Sequence, residues 1–273
     1  MQGKPFEIID GKKVKLRADG KPKRTKCNAK EGGSTWVDPI RNKDDIGKII
    51  VHLQAKIDNT DRADYRKAYA RNKLYFCIGV FSGFRVSDLI GARKGTKYKK
   101  KDSNGNIYYE YPKWTGLKWQ DVYCKDGKTF RKEVSIKELK TGHMRKVQIT
   151  EIMKKYFTEY IQRFQPDTTT NDYVFTNRQK EKMSSVAIDQ FIKECVNICG
   201  IDGNYSTHSL RKTYVYHKYL NYKEAIGEEM ALAKTMKYTG HRNMSDLLRY
   251  LGLKDKETEK DAQMMDDYWG GIF

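Results

Sequence analysis

The stretch from Ala63 to Phe81 limits the possible folds most. Its apolar side chains, Tyr65, Ala68, Tyr69, Leu74, Phe76, Cys77 and Val80, begin at helical spacing and end by covering almost the whole circumference. A helix apolar on nearly every side needs protein on nearly every side, so the pattern predicts the central helix of a helical core. Ser82-Gly83 ends it, Arg85 sits in the turn, and Ser87 reads as the N-cap of the next short helix. An arginine hard against the end of a buried helix is held on a rigid element.

Charge says what such a cation meets. The 273 residues include 54 Lys and Arg against 35 Asp and Glu, a formal +19. A field of that sign favours a polyanion, and nucleic acid is the commonest one. Anionic membrane is the rival, but the longest apolar-rich run, Leu74 to Phe81, is far too short to cross a bilayer. No basic amphipathic helix shows an exposed aromatic face either. Lys4, Glu7, Asp10 and Lys12 interrupt the opening residues, which excludes a signal peptide there. The five cysteines are scattered; Cys195 and Cys199 stand one helical turn apart, without further Cys or His nearby to complete a metal site. A reduced, cytoplasmic protein with no membrane partner and no metal is expected.

In order, residues 1–37 are basic and Gly-punctuated. Phe6 to Ile9 and Val14 to Leu16 can pair as a hairpin around Asp10-Gly11, and Lys21 to Lys30, with Lys23 and Arg24, reads as a basic arm; a disordered tail is the alternative. Ile46, Ile49, Ile50, Leu53 and Ile57 predict a helix before the central one. The polar insertion from Arg93 to Lys113 carries Lys94, Lys97, Lys99, Lys100 and Lys101 with Tyr108, Tyr109 and Tyr111. It reads as a contact to the DNA backbone or as a solvated hairpin. Leu117 to Tyr123, Thr129 to Lys137 and Arg145 to Ile149 look like strands of a small antiparallel sheet, with Lys140 at a hairpin tip. Helices follow. One runs from Ile152 to Phe164 with Ile152, Met153, Tyr156, Phe157, Tyr160, Ile161 and Phe164 on one face; the next is capped by Ser184 or Ser185; another is capped at Ser206-Thr207; the last covers Met230 to Lys237. The expected class is mainly α with a small antiparallel sheet.

Four short stretches stand out in this frame: SGFRVSDL at Ser82 to Leu89, KTGHMRKVQI at Lys140 to Ile149, HSLRKT at His208 to Thr213, and TGHRNMSDLLRY at Thr239 to Tyr250. Taken singly, each residue has a plain reading. Arg85 is a surface ion-pair partner, Lys140 one lysine of many, and His208 with Arg211 an exposed helix face. His241 is a capping histidine, and Tyr250, one of 19 tyrosines, fills core. Brought together, they offer three permanent cations, two imidazoles and a phenol, with no acidic cluster suited to Mg²⁺. Guanidinium forks match tetrahedral phosphate oxygens and stabilise the added charge of a five-coordinate transition state. A phenol with a pKa of about 10 becomes a nucleophile once its proton is taken or its anion stabilised. A lysine on a hairpin tip can protonate the leaving 5′-oxygen.

In that order and those local contexts, the four stretches resemble the motifs of the tyrosine recombinase/integrase family across about residues 38 to 250. The resemblance makes Arg85 and Arg211 phosphate clamps, Lys140 the general acid, His208 a proton-transfer or phosphate ligand, and His241 the later His/Trp position. Tyr250, nine residues beyond His241, matches the nucleophile, and Asp88 falls where the family has an acid that braces the site. It implies cleavage and rejoining of double-stranded DNA at recombination sites through a 3′-phosphotyrosine. No metal, ATP or other cofactor is used, and a homotetramer on DNA passes through a Holliday junction, with a directionality factor as a further partner. The implied domains are a basic arm at 1–37, a catalytic domain at 38–259, and a tail at 260–273 that can be exchanged between protomers. A mobile-element integrase is the biology expected. The alternatives are a type IB topoisomerase-like relaxing enzyme and a regulator that binds DNA without cutting it. Three departures stand beside the match. The Arg93 to Lys113 insertion lengthens the catalytic domain. His241 follows Arg211 by 30 positions, with Tyr222 to Glu229 as an extra loop. About 40 residues precede the first core helix, too few for the usual core-binding domain.

Overall fold

The computed structural model describes residues 36–91, 98–110, 116–137, 144–253 and 263–267, and the backbone of two strands at 6–9 and 12–15. The chain divides into two compact units, 1–36 and 37–273. In the first, strands β1 (Phe6–Ile9) and β2 (Lys12–Lys15) pair antiparallel, Phe6 opposite Lys15 and Ile9 opposite Lys12, which is the hairpin expected around Asp10-Gly11.

The second unit opens with α1 (Lys43–Asp58), whose N-cap Asn42 accepts from the Asp44 N–H at 2.9 Å. Ile46, Ile49, Leu53 and Ile57 turn inward. The central helix α2 (Ala63–Ser82) buries every residue from Leu74 to Val80 and ends at Gly83, in the left-handed region at φ 63°. It packs against α1 and against two later helices, α5 (Glu151–Phe164) and α7 (Thr207–Ile226). A Cβ added at Gly79 would lie 2.7 Å from Leu210 Cδ1, so glycine is what lets α2 and α7 approach there. After α2 comes the short α3 (Val86–Ile90). Its N-cap is Arg85 rather than Ser87, because Asp88 in the first turn accepts from the Arg85 N–H at 2.9 Å and leaves Ser87 inside the helix.

The insertion folds into a hairpin, β3 (Tyr98–Lys101) paired with β4 (Ile107–Glu110), which turns at Asp102 to Asn106. Leu117 to Tyr123 is not a strand. It closes into one helical turn, α4 (Trp119–Val122), because the Asp121 carboxylate accepts from the Lys118 N–H at 2.8 Å. Only its ends keep sheet character, as single bridges from Lys118 to Tyr173 and from Tyr123 to Phe130. The expected sheet is a two-stranded hairpin, β5 (Glu133–Lys137) with β6 (Met144–Gln148), and the first strand is shorter than the Thr129 to Lys137 reading.

Helix α5 (Glu151–Phe164) buries Met153, Phe157 and Tyr160, while Ile152, expected on the same face, is exposed at the first turn. Ser184 rather than Ser185 caps α6 (Ser185–Ile198), accepting from the Val186 N–H. Ser206 caps α7 (Thr207–Ile226). The expected loop from Tyr222 to Glu229 is helical: α7 runs to Ile226, Gly227 at φ 79° makes the only break, and α8 (Glu228–Thr239) begins at once. Glu228 holds the corner, accepting from the Tyr219 hydroxyl at 2.6 Å and from Lys223 at 2.7 Å. Gly240 then ends α8, and α9 (Met244–Leu251) completes the unit. Among the described residues no helix is long and apolar enough to cross a membrane. Of the tail at 260–273, residues 263–267 are helical and exposed, and the rest lies outside the described residues.

Candidate active site

The site is assembled where α2 ends. Gly83 carries its carbonyl oxygen toward two arginines: Arg211 Nη1 donates to it at 2.9 Å and Arg145 Nη1 at 3.1 Å. Arg145 Nη2 also donates to Ser82 O at 3.2 Å and to the Tyr238 hydroxyl. One peptide carbonyl therefore gathers guanidinium groups from β6 and α7 two residues before Arg85. A Cβ at position 83 would overlap the Tyr214 ring, so glycine is required for space as well as for conformation. Arg85 itself is fixed at the backbone by Asp88, which is fully buried.

Helix α7 supplies the next pair. Its capping serine accepts from the His208 N–H at 3.2 Å, and the Ser206 N–H donates to Ser209 Oγ at 3.0 Å, closing both ends of the first turn. His208 is exposed, and Arg211, one turn on, is only 4% exposed. Past α8, the left-handed Gly240 delivers His241, whose Nδ1 lies 2.7 Å from Thr239 Oγ1. Burial holds the His241 pKa below the ordinary histidine value, opposed by Asp246 and assisted by Arg211. Asn243 caps α9 by accepting from the Asp246 N–H at 2.8 Å, and Tyr250 lies near the far end of that helix.

Tyr250 stands between the two histidines. Its ring meets that of His208 edge-on at 5.7 Å between centroids and that of His241 at 4.9 Å, and Lys212 Nζ lies 5.3 Å from its centre. The hydroxyl is buried and makes no hydrogen bond of good geometry among the described residues. Burial raises its pKa; the Arg211 guanidinium, close enough to act on it directly, is the main opposing influence, followed by Arg85. A buried phenol between two imidazoles, with two arginines acting on it, has partners that can offset the charge of its anion.

Five of the six expected catalytic residues, Arg85, His208, Arg211, His241 and Tyr250, thus converge from four separate elements. Lys140 falls in 138–143, between the paired ends of β5 and β6 and outside the described residues. Of the DNA-contact candidates, Lys100 and Lys101 are exposed on β3 and Lys99 belongs to the same strand. Lys94, Lys97, Lys21, Lys23 and Arg24 lie outside the described residues.

Three site residues escaped the sequence reading. Arg145 shares a face of β6 with buried Val147, and an arginine in register with an inward valine was the available signal. Lys212, 5% exposed, donates to Val37 O at 2.8 Å, and burial pushes its pKa down to about 8. Thr239, two residues before His241, gave no periodic signal. Val37 also begins a strap, residues 37–41, that runs along α7. The Ile40 N–H donates to Thr213 Oγ1 at 2.8 Å, and His217 Nε2 meets Ile40 O at 3.0 Å. Arg41 Nη2 donates to Gly252 O at 3.1 Å, at the C-cap of the helix that carries Tyr250.

Comparison with known proteins places this geometry. Residues 113–257 match the phage integrase family. The probable integrase/recombinase YoeC of Bacillus subtilis (strain 168) is 26% identical over 237 residues, covering 86% of this chain and 98% of YoeC. The XerA recombinase structure superposes with a TM-score of 0.51 at 16% identity, covering 84% of this chain and 66% of XerA. The XerH site-specific recombinase, in a post-cleavage complex with palindromic difH substrate, gives a TM-score of 0.50 at 16% identity over 92% of this chain and 60% of XerH. The chain therefore spans about two thirds or less of these two solved recombinases. The fold is the one those recombinases share, mostly helical with small antiparallel hairpins.

Proposed function

The chain belongs to the phage integrase family, and on that premise we propose that it is a site-specific recombinase acting on double-stranded DNA through a 3′-phosphotyrosine at Tyr250. The observation that carries this reading is the placement of the Tyr250 hydroxyl: buried, flanked by the rings of His208 and His241, and opposed in charge by Arg211 and Arg85. In the proposed step the phenolic proton leaves, the phenolate oxygen bonds to phosphorus, and the P–O5′ bond breaks. Arg85 and Arg211 hold the non-bridging oxygens and carry the extra charge of the five-coordinate transition state. His208, exposed beside Arg211, is a further phosphate ligand. Lys140 gives the departing 5′-oxygen its proton. Attack by another 5′-hydroxyl reverses the step, so rejoining needs neither ATP nor a metal.

Lysines 100 and 101 on β3 and the lysines beside them suit phosphate contact, as do Lys21, Lys23 and Arg24 in the arm. A homotetramer on paired sites, with a Holliday-junction intermediate, a tail at 260–273 exchanged between protomers, and a directionality factor, completes the proposal. A mobile element is the proposed setting.

Covalent trapping tests it. The protein is incubated with sheared genomic DNA of its source organism in chelator, denatured, and assayed for protein-linked DNA. Tyr250→Phe is the control. The expected result is an adduct that disappears in Tyr250→Phe and whose sequenced DNA maps to one site. Adducts spread over many sites mean a relaxing enzyme of the topoisomerase type; DNA binding with no adduct means a regulator.

A further inference from the structure

One proton of this site can be located by counting donors. Thr239 Oγ1 lies 2.7 Å from His241 Nδ1, 2.8 Å from Thr235 O and 3.2 Å from Met236 O. At such distances each short pair needs a proton between its atoms, because facing lone pairs repel. The hydroxyl has one proton and the carbonyls have none. That proton is taken by the backbone, in the usual way of a threonine that folds back on the carbonyl four residues earlier in its helix. The proton on the 2.7 Å line to Nδ1 must then come from the imidazole. In the neutral ring, Nε2 is left with an unshared lone pair.

The groups around the ring give that lone pair a use. Facing His241 are Tyr250 and Asp246 from α9 and Arg211 from α7, with His208 and Lys212 on the other sides of the Tyr250 ring. Arginines are donors only and Lys212 is tied to the Val37 carbonyl, and of the two imidazoles beside the phenol His241 is the nearer, at 4.9 Å between centroids against 5.7 Å for His208. The Tyr250 hydroxyl is buried and makes no hydrogen bond to an acceptor among the described residues, so its proton is not committed elsewhere. A ring in the opposite tautomer would present an N–H and merely add a donor to a site already supplied with arginines.

We propose that Thr239 is a positioning residue that holds His241 as the Nδ1–H tautomer, and that His241 Nε2 accepts the phenolic proton of Tyr250. This rests on the recombinase reading and assigns its base. The proton passes from Tyr250 Oη to His241 Nε2 as the Oη–P bond forms and the P–O5′ bond breaks. On rejoining, the imidazolium returns it to Oη as the Oη–P bond breaks.

The test has an arm that needs no DNA. In the ¹⁵N-labelled full chain, long-range ¹H–¹⁵N correlation assigns the protonated nitrogen of His241. Wild type and Thr239→Ser are expected to show Nδ1 protonated and Nε2 bare. Thr239→Val, with the same shape and no hydroxyl, moves toward Nε2–H, and the same spectra confirm that it folds. With genomic DNA, Thr239→Val forms the Tyr250 adduct at least about tenfold more slowly at unchanged DNA affinity, a part of the ~10²-fold or more that a positioned base contributes. Thr239→Ser restores the rate. An Nε2–H ring in the wild type, or a Thr239→Val variant with the wild-type tautomer or the wild-type adduct rate, overturns the proposal. A wild type with the Nδ1–H ring that never forms an adduct overturns the recombinase reading and leaves the Thr239 assignment standing.

Discussion

Lys212 sits in an environment that a lysine seldom accepts. It is buried against the Tyr250 ring and donates to the Val37 carbonyl, and burial brings its pKa from 10.5 down to about 8. The sign of the effect on stability follows. Between pH 8 and 10.5 the unfolded chain holds a proton here that the folded chain has released, so this group makes the fold more stable as pH rises through that window. Below it both states carry the proton and the folded state bears the cost of a buried ammonium. Urea unfolding at steps from pH 7 to 10 is expected to show this rise in the wild type and a flatter profile in Lys212→Met. At this scale the site was largely legible from sequence, because Arg85, His208, Arg211, His241 and Tyr250 stand in short local contexts that chemistry constrains. Lys212 and Arg145 were not, since a lysine or arginine in a chain with 54 of them looks like surface until its neighbours are known. Their roles depend on contacts across long sequence separations, Lys212 to Val37 and Arg145 to Gly83.

Among the elements, the end of α2 does most to fix the site. Gly83 adopts φ 63°, sits against Tyr214, and offers the carbonyl on which Arg145 and Arg211 meet. Gly83→Ala combines left-handed strain with overlap on an aromatic ring and is expected to cost about 1–3 kcal/mol. Thermal unfolding measures that cost, and the adduct assay should fall further than the stability loss explains, because the carbonyl shared by the two guanidinium groups is displaced. The helices around this point followed from apolar periodicity, α2 and α5 within one residue and α1 within three. The misread elements failed for identifiable reasons. Leu117, Trp119 and Tyr123 alternate as in a strand, yet a single carboxylate, Asp121, closes the turn that makes them helical. Tyr222 to Glu229 reads as an extra loop from the long spacing between Arg211 and His241, but Glu228 ties α7 to α8 through Tyr219 and Lys223, which spacing alone does not reveal.

For the molecule as a whole, the +19 charge sets how the proposed DNA partner is met. Binding should weaken steeply with salt, by a factor that counts the phosphates neutralised. Replacing Lys100 and Lys101 together by Gln is expected to lower the slope of log affinity against log salt by about 2 if both face phosphates. Fluorescence anisotropy across a salt series reads that slope, and an unchanged value removes the β3–β4 hairpin from the interface. The strap at residues 37–41 has another consequence. It fastens α7 and the cap of α9 from outside either helix, through Lys212, Thr213, His217 and Gly252. The shortest self-sufficient fragment of the second unit therefore begins no later than Val37: trimming to that residue removes only the arm, whereas trimming six residues further, to Lys43, leaves every motif residue in the chain but takes away the stitching that keeps the Tyr250 helix in register.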